Sequence, residues 1–133
     1  MNKELMTKLF STDKALLESF HIIAPNSAEN CAARTFKDLE DNNVVTYLIE
    51  KNNEVIGYYG IEGSAFLTGF FLTPENRDRA TIDLMWKKIE SHFPGNFLTC
   101  LYTKNTRAID FMTKKTPEMH KVGNDVVLFT VRR

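Results

Sequence analysis

The chain has few of the side chains that build metal or redox centres. Cys31 and Cys100 are its only cysteines in 133 residues, and His21, His92 and His120 its only histidines. They stand far apart, with no CxxC or HExxH spacing, so no metal is expected. The two cysteines read as small buried apolar residues. Charge of one sign is lacking as well, since 17 Lys and Arg balance 17 Asp and Glu. That balance argues against a nucleic-acid partner. No apolar run approaches the roughly 18–20 residues of a membrane span. The opening MNKELMTKLF carries Glu4 where a signal peptide needs an apolar core. The expectation is a soluble, cytoplasmic chain with no membrane association.

What is present suffices for a core. Hydrophobic residues make up 43% of the sequence, and residues 1–133 fit one domain without repeats, linkers or low-complexity segments. LMTKLF alternates weakly and reads as a short first strand. FSTDKALLESF offers capping residues followed by Leu16, Leu17 and Phe20 at helical spacing, and Pro25-Asn26-Ser27 breaks that helix. AENCAARTFKDLEDN reads as a second helix, with Ala32, Phe36 and Leu39 on one face.

The clearest β region is VVTYLIEKNNEVIGYYGIEGSAFLTGFFL. Lys51-Asn52-Asn53 and Glu62-Gly63-Ser64 are turns, so three strands form a meander. Simple alternation along AFLTGFFL puts Phe66, Thr68 and Phe70 on one face and Leu67, Gly69 and Phe71 on the other. A helix follows with Ile82, Met85, Trp86, Ile89 and Phe93 in one stripe, ending at Pro94-Gly95. NFLTCLYT is another strand, Asn105 caps a helix through Ala108, Ile109 and Met112, and MHKV and DVVLFTV close as a hairpin around Gly123-Asn124. A mixed sheet covered by helices on both faces results.

Three stretches in this order resemble the GNAT (Gcn5-related N-acetyltransferase) family. VVTYLIEKNNEVIGYYGI is similar to its central hairpin, whose second strand reads hydrophobic-hydrophobic-Gly. FFLTPENRDRATIDLMWKKIESHF is similar to its acyl-CoA-binding strand, loop and helix, and LTCLYTKNTRAIDFM to the next strand and the Asn-x-x-Ala helix. The resemblance implies an α/β (α+β) fold with a mixed, mostly antiparallel twisted sheet, whose strands AFLTGFFL and NFLTCLYT diverge at one end. It also implies a site for acetyl-CoA. Backbone groups of Phe70 and Leu72 would face the acyl-pantetheine arm, the loop Arg77, Asp78, Arg79, Ala80, Thr81 and Ile82 would face the pyrophosphate, and Asn105 would open the neighbouring helix.

Against the family's Arg/Gln-x-x-Gly-x-Gly/Ala loop, the first glycine has become Ala80 and the second Ile82. A β-branched side chain at the second position restricts the backbone and blocks close approach of a phosphate. The family's frequent Glu base falls among Ala65-Phe66-Leu67, which cannot titrate, and its Tyr acid falls on Met112. Glu62 and Tyr102 are the nearest substitutes as base and acid, with Cys100 or water as further substitutes. GYYGIE, GFFLTPE and NTRAIDFM also resemble degenerate GNAT-like proteins of short-tailed bacteriophages, the internal virion protein A type.

Two readings follow. One is a non-catalytic GNAT-like protein with no cofactor and a protein partner or self-association, located in a host cytoplasm or a virion if a phage encodes it. The other is an acetyl-CoA-dependent N-acetyltransferase acting on a primary amine. In the first, the cleft between AFLTGFFL and NFLTCLYT is expected to fill with Phe70, Phe71, Tyr102 and Met112, because an empty apolar groove forfeits contacts.

Overall fold

The structure, a computed structural model, describes residues 1–19 and 27–133. Three helices come first: α1 (Lys3–Ser11), α2 (Lys14–Ser19) and α3 (Ala28–Asp41). A meander follows, of β1 (Val45–Lys51), β2 (Glu54–Glu62) and β3 (Phe66–Leu72). After a 3-10 turn at Pro74–Asn76 come α4 (Arg79–Ser91), β4 (Phe97–Tyr102), α5 (Thr106–Lys115), β5 (Met119–Val122) and β6 (Val126–Val131). The sheet order is β1-β2-β3-β4-β6-β5, antiparallel throughout except for the parallel β3–β4 pair. The mixed, mostly antiparallel sheet with helices on both faces is thus observed.

The first element differs from the sequence expectation. LMTKLF lies in α1 rather than in a strand, because the Asn2 side chain accepts the Leu5 N–H at 2.8 Å and caps it. Met6, Leu9 and Phe10 then share one helical face and bury against Ala28, Cys31 and Ala32 of α3 and against Tyr58 and Phe71 of the sheet. Phe20, Pro25 and Asn26, invoked above for the next helix and its end, lie outside the described residues, as does His21.

The opposite face of the sheet carries the larger core. Met85, Trp86 and Ile89 of α4 and Met112 of α5 pack there on Leu67, Leu72, Phe97 and Phe129. Trp86 is buried at 5% exposure, edge-on to Phe111 with centroids 5.4 Å apart, while Ile82 is only partly buried at the start of the stripe. No helix among the described residues is long and apolar enough to cross a membrane.

Two irregularities shape the sheet. In the β1–β2 pair Ile49 faces Gly57 and Glu50 faces Val55, so Ile56 is an extra residue. The chain needs glycine next to it, since a Cβ on Gly57 would stand 2.1 Å from the Phe71 carbonyl oxygen. This explains the hydrophobic-hydrophobic-Gly pattern physically. In the β2–β3 pair Gly60 faces Gly69 and Ile61 faces Leu67, which leaves Thr68 as the extra residue. Strict alternation along AFLTGFFL is therefore wrong: Leu67 and Phe70 both reach the α4–α5 core, and Phe71 reaches the other one.

Candidate functional site

The site forms where β3 and β4 separate. Their ladder holds only Phe66 against Leu98 and Leu67 against Thr99. The next rung is taken by a side chain, as the buried Thr99 Oγ1 donates to the Leu67 carbonyl oxygen at 2.8 Å. Beyond that point the two strands part, as expected, and a cleft of about 270 Å³ opens. Phe70, Leu72, Ile82, Met85 and Phe111 give it apolar walls. Asp13, Ala15 and Leu16 from the α1–α2 corner form one side, and Lys104, Asn105 and Arg107 at the start of α5 form another.

The expected filling does not occur. Phe70 packs toward Trp86 and Phe111, Phe71 turns mainly into the α1–α3 core, and Met112 lies wholly inside the α4–α5 core. Tyr102 points out of the sheet at 56% exposure. The bulge at Thr68 and the divergence of the strands carry these side chains apart, so the groove between them persists.

The junction LTPENRDRAT is closed by its own hydrogen bonds. The Thr73 N–H donates to the Ile56 carbonyl oxygen at 2.8 Å, and the Thr73 hydroxyl accepts from the Asn76 amide at 2.7 Å. Arg77 turns back: its Nε donates to the Leu72 carbonyl oxygen at 2.9 Å and its Nη2 to Asp13 Oδ2 at 2.5 Å. The guanidinium also lies 5.4 Å from the Phe71 ring centroid. Asp13 is buried, and its second oxygen accepts the Leu16 N–H at 3.0 Å, capping α2. A single carboxylate thus ties the start of α2 to the loop before α4.

Asp78 is the N-cap of α4. Its oxygens accept the Thr81 hydroxyl at 2.8 Å and the Thr81 N–H at 3.1 Å. The hydroxyl bond first, then the N–H bond, hold the Asp78 carboxyl below the usual carboxylate range. A negative charge therefore occupies the helix N-terminus, where an anionic ligand gains most. Arg79 is exposed and pairs loosely with Asp83 at 3.9 Å, and Ala80 is exposed beside it. Asn105 caps α5 through an Ala108 N–H contact of 3.4 Å.

The structure thus brings Phe70, Leu72, Arg77, Ile82 and Asn105 to one cleft. Asp78, Arg79, Ala80 and Thr81 sit in the adjoining loop and first helical turn, outside its lining. Glu62 ends β2 opposite Phe66, and Tyr102 ends β4 opposite Val126; neither lines the cleft. Burial pushes the Cys100 thiol up, away from reactivity, and Cys100 is also outside the lining. Among the described residues no group of three or more His, Cys, Asp or Glu is placed to hold a metal. Asp13, Lys104 and Arg107 were not recognised from the sequence. Lys104 and Arg107 flank the Asn-x-x-Ala start and were legible there, whereas Asp13 lies 64 residues from Arg77 with no local signal.

By sequence, no protein-family model and no curated protein matches the chain. By structure it is similar to an acetyltransferase from Thermus thermophilus, with a TM-score of 0.74 at 13% identity over 98% of this chain and 90% of that one. A GCN5-related N-acetyltransferase from Rhodopseudomonas palustris matches with a TM-score of 0.62 at 13% identity, over 98% and 89% of the two chains. The paia N-acetyltransferase of Thermoplasma acidophilum, solved in complex with coenzyme A, matches with a TM-score of 0.60 at 13% identity, over 98% and 92%. Identities this low speak to architecture alone, and that architecture, with its parted central strands, is the fold of the GCN5-related N-acetyltransferases.

Proposed function

We propose that this chain is an acetyltransferase-like protein that has kept the GNAT fold but does not transfer acetyl groups. One observation carries the reading: the guanidinium of Arg77 and the carboxylate of Asp78, just before α4, are both spent on the protein itself. Arg77 is held by Asp13 and Leu72, and Thr81 is held by Asp78. A pyrophosphate would have to displace a fixed carboxylate from the α4 N-terminus and would meet the Ile82 side chain beside it. Proton transfer is equally unsupported. Among the described residues the cleft lining offers no His, Cys, Tyr or Glu, and the carboxylate it does hold, Asp13, is already paired. The likeness of GYYGIE, GFFLTPE and NTRAIDFM to degenerate phage proteins supports a part in particle structure or assembly, made through protein contacts.

A second reading has an observation of its own. The cleft at Phe70 and Leu72 is open rather than filled, which favours an acetyl-CoA-dependent N-acetyltransferase acting on a primary amine. Incubation with acetyl-CoA and a panel of primary amines, following thiol release, separates the two. The non-catalytic reading expects a rate equal to that of a protein-free blank with every amine. Turnover abolished by a cleft-blocking change such as Ala15→Trp would establish the enzyme instead.

A further inference from the structure

We propose that the open cleft is a binding site for a small amphiphilic anion, of the medium-chain carboxylate class, rather than for a nucleotide thioester. The inference rests on the non-catalytic reading and gives its remaining cavity a ligand. Its first support is shape and size. At about 270 Å³ the cleft lies just under the range of roughly 300–1,000 Å³ typical of small-molecule pockets. One apolar chain fits that volume, whereas a nucleotide would have to rest outside it, on the self-capped loop.

The second support is the chemistry of the walls. Phe70, Leu72, Ile82, Met85 and Phe111 give the cleft apolar walls, and the Phe70 and Phe111 rings pack at a tilt with centroids 5.8 Å apart. Such walls reward an apolar body by removing it from water.

The third is charge. Asp13 and Arg77 neutralise each other across 2.5 Å, leaving Lys104 and Arg107 as the remaining charged groups of the lining among the described residues. The described residues of the lining therefore carry a net charge of two positive on a molecule whose overall charge is zero. Both cations come from one short segment beside Asn105, so the positive charge is confined to one part of the cleft. An apolar tail with a single carboxylate head complements that arrangement, and an uncharged chain of equal length forgoes the head-group attraction.

Titration calorimetry of the full chain with decanoate, decanol and acetyl-CoA tests this. Saturable decanoate binding is expected, at least tenfold tighter than decanol. The Lys104→Gln/Arg107→Gln double variant, altered only at exposed positions, should lose at least tenfold in decanoate affinity while keeping its unfolding transition. Ala15→Trp, which fills the cleft from its exposed rim, should abolish decanoate binding. Absence of saturable decanoate binding, equal affinities for decanoate and decanol, or binding indifferent to Ala15→Trp would each overturn the assignment. Acetyl-CoA in the same series keeps the two proposals apart: its tight binding contradicts the non-catalytic reading, whereas silence toward all three ligands contradicts only the carboxylate site.

Discussion

The hydroxyl of Thr99 donates to the carbonyl oxygen of Leu67 at 2.8 Å, and β3 and β4 part at that bond. A side chain ends the parallel ladder by taking the acceptor that the next backbone N–H would have used. Thr99→Val keeps the shape but leaves the Leu67 carbonyl without this donor in a fully buried place. The expected loss is about 1–3 kcal/mol in denaturant unfolding. Thr99→Ser should recover most of it.

Gly57 and Gly69 are expected to behave oppositely. A methyl group at Gly57 would collide with the Phe71 carbonyl oxygen, while one at Gly69 would meet nothing within 4 Å. Gly57→Ala should cost about 3 kcal/mol, the upper end of the usual overpacking range, since backbone rather than a flexible side chain must move. Gly69→Ala should stay within about 0.5 kcal/mol of the parent in the same unfolding experiment.

This contrast shows what the sequence could convey. Turns at Asn52-Asn53 and Gly63, the α4 stripe and the Asn105 cap are local signals, and they were legible. The extra residue at Thr68 was not, because alternation between apolar and polar residues cannot register an insertion opposite Gly60 and Ile61. LMTKLF is short enough to suit a strand as well as a helix turn, and the Asn2 cap that decides for α1 lies outside that stretch. The parted strands were inferred by resemblance, not from periodicity. The Arg77–Asp13 pair depends on how α2 docks, which no spacing encodes.

Alkaline stability should depend on Tyr58. Burial pushes its hydroxyl well above the ordinary phenol range. A folded-state value above the unfolded value of about 10 favours folding fully below that pH. The contribution is then lost as pH rises from about 10 toward the folded-state value, because only the unfolded chain ionises easily. Urea midpoints measured between about pH 8 and 11 should fall across the upper part of that window. Tyr58→Phe should make the decline shallower.

Restoring the family's glycines should trade stability for access. Ile82 is packed against the core at the edge of the cleft, and Ala80 is in the first turn of α4. Ala80→Gly with Ile82→Gly should lower stability by about 2–4 kcal/mol through lost burial and added backbone entropy. The same variant should bind acetyl-CoA at least tenfold more tightly than the parent in calorimetry.

With Arg77 tied to Asp13 and Asp78 tied to Thr81, the loop before α4 is expected to offer a pyrophosphate no seat. Titration of the unmodified chain with acetyl-CoA at moderate salt tests it most directly. No saturable heat is expected, with a dissociation constant weaker than about 1 mM, or less than about 4 kcal/mol of binding free energy. A dissociation constant near 1 μM, about 8 kcal/mol, would contradict it.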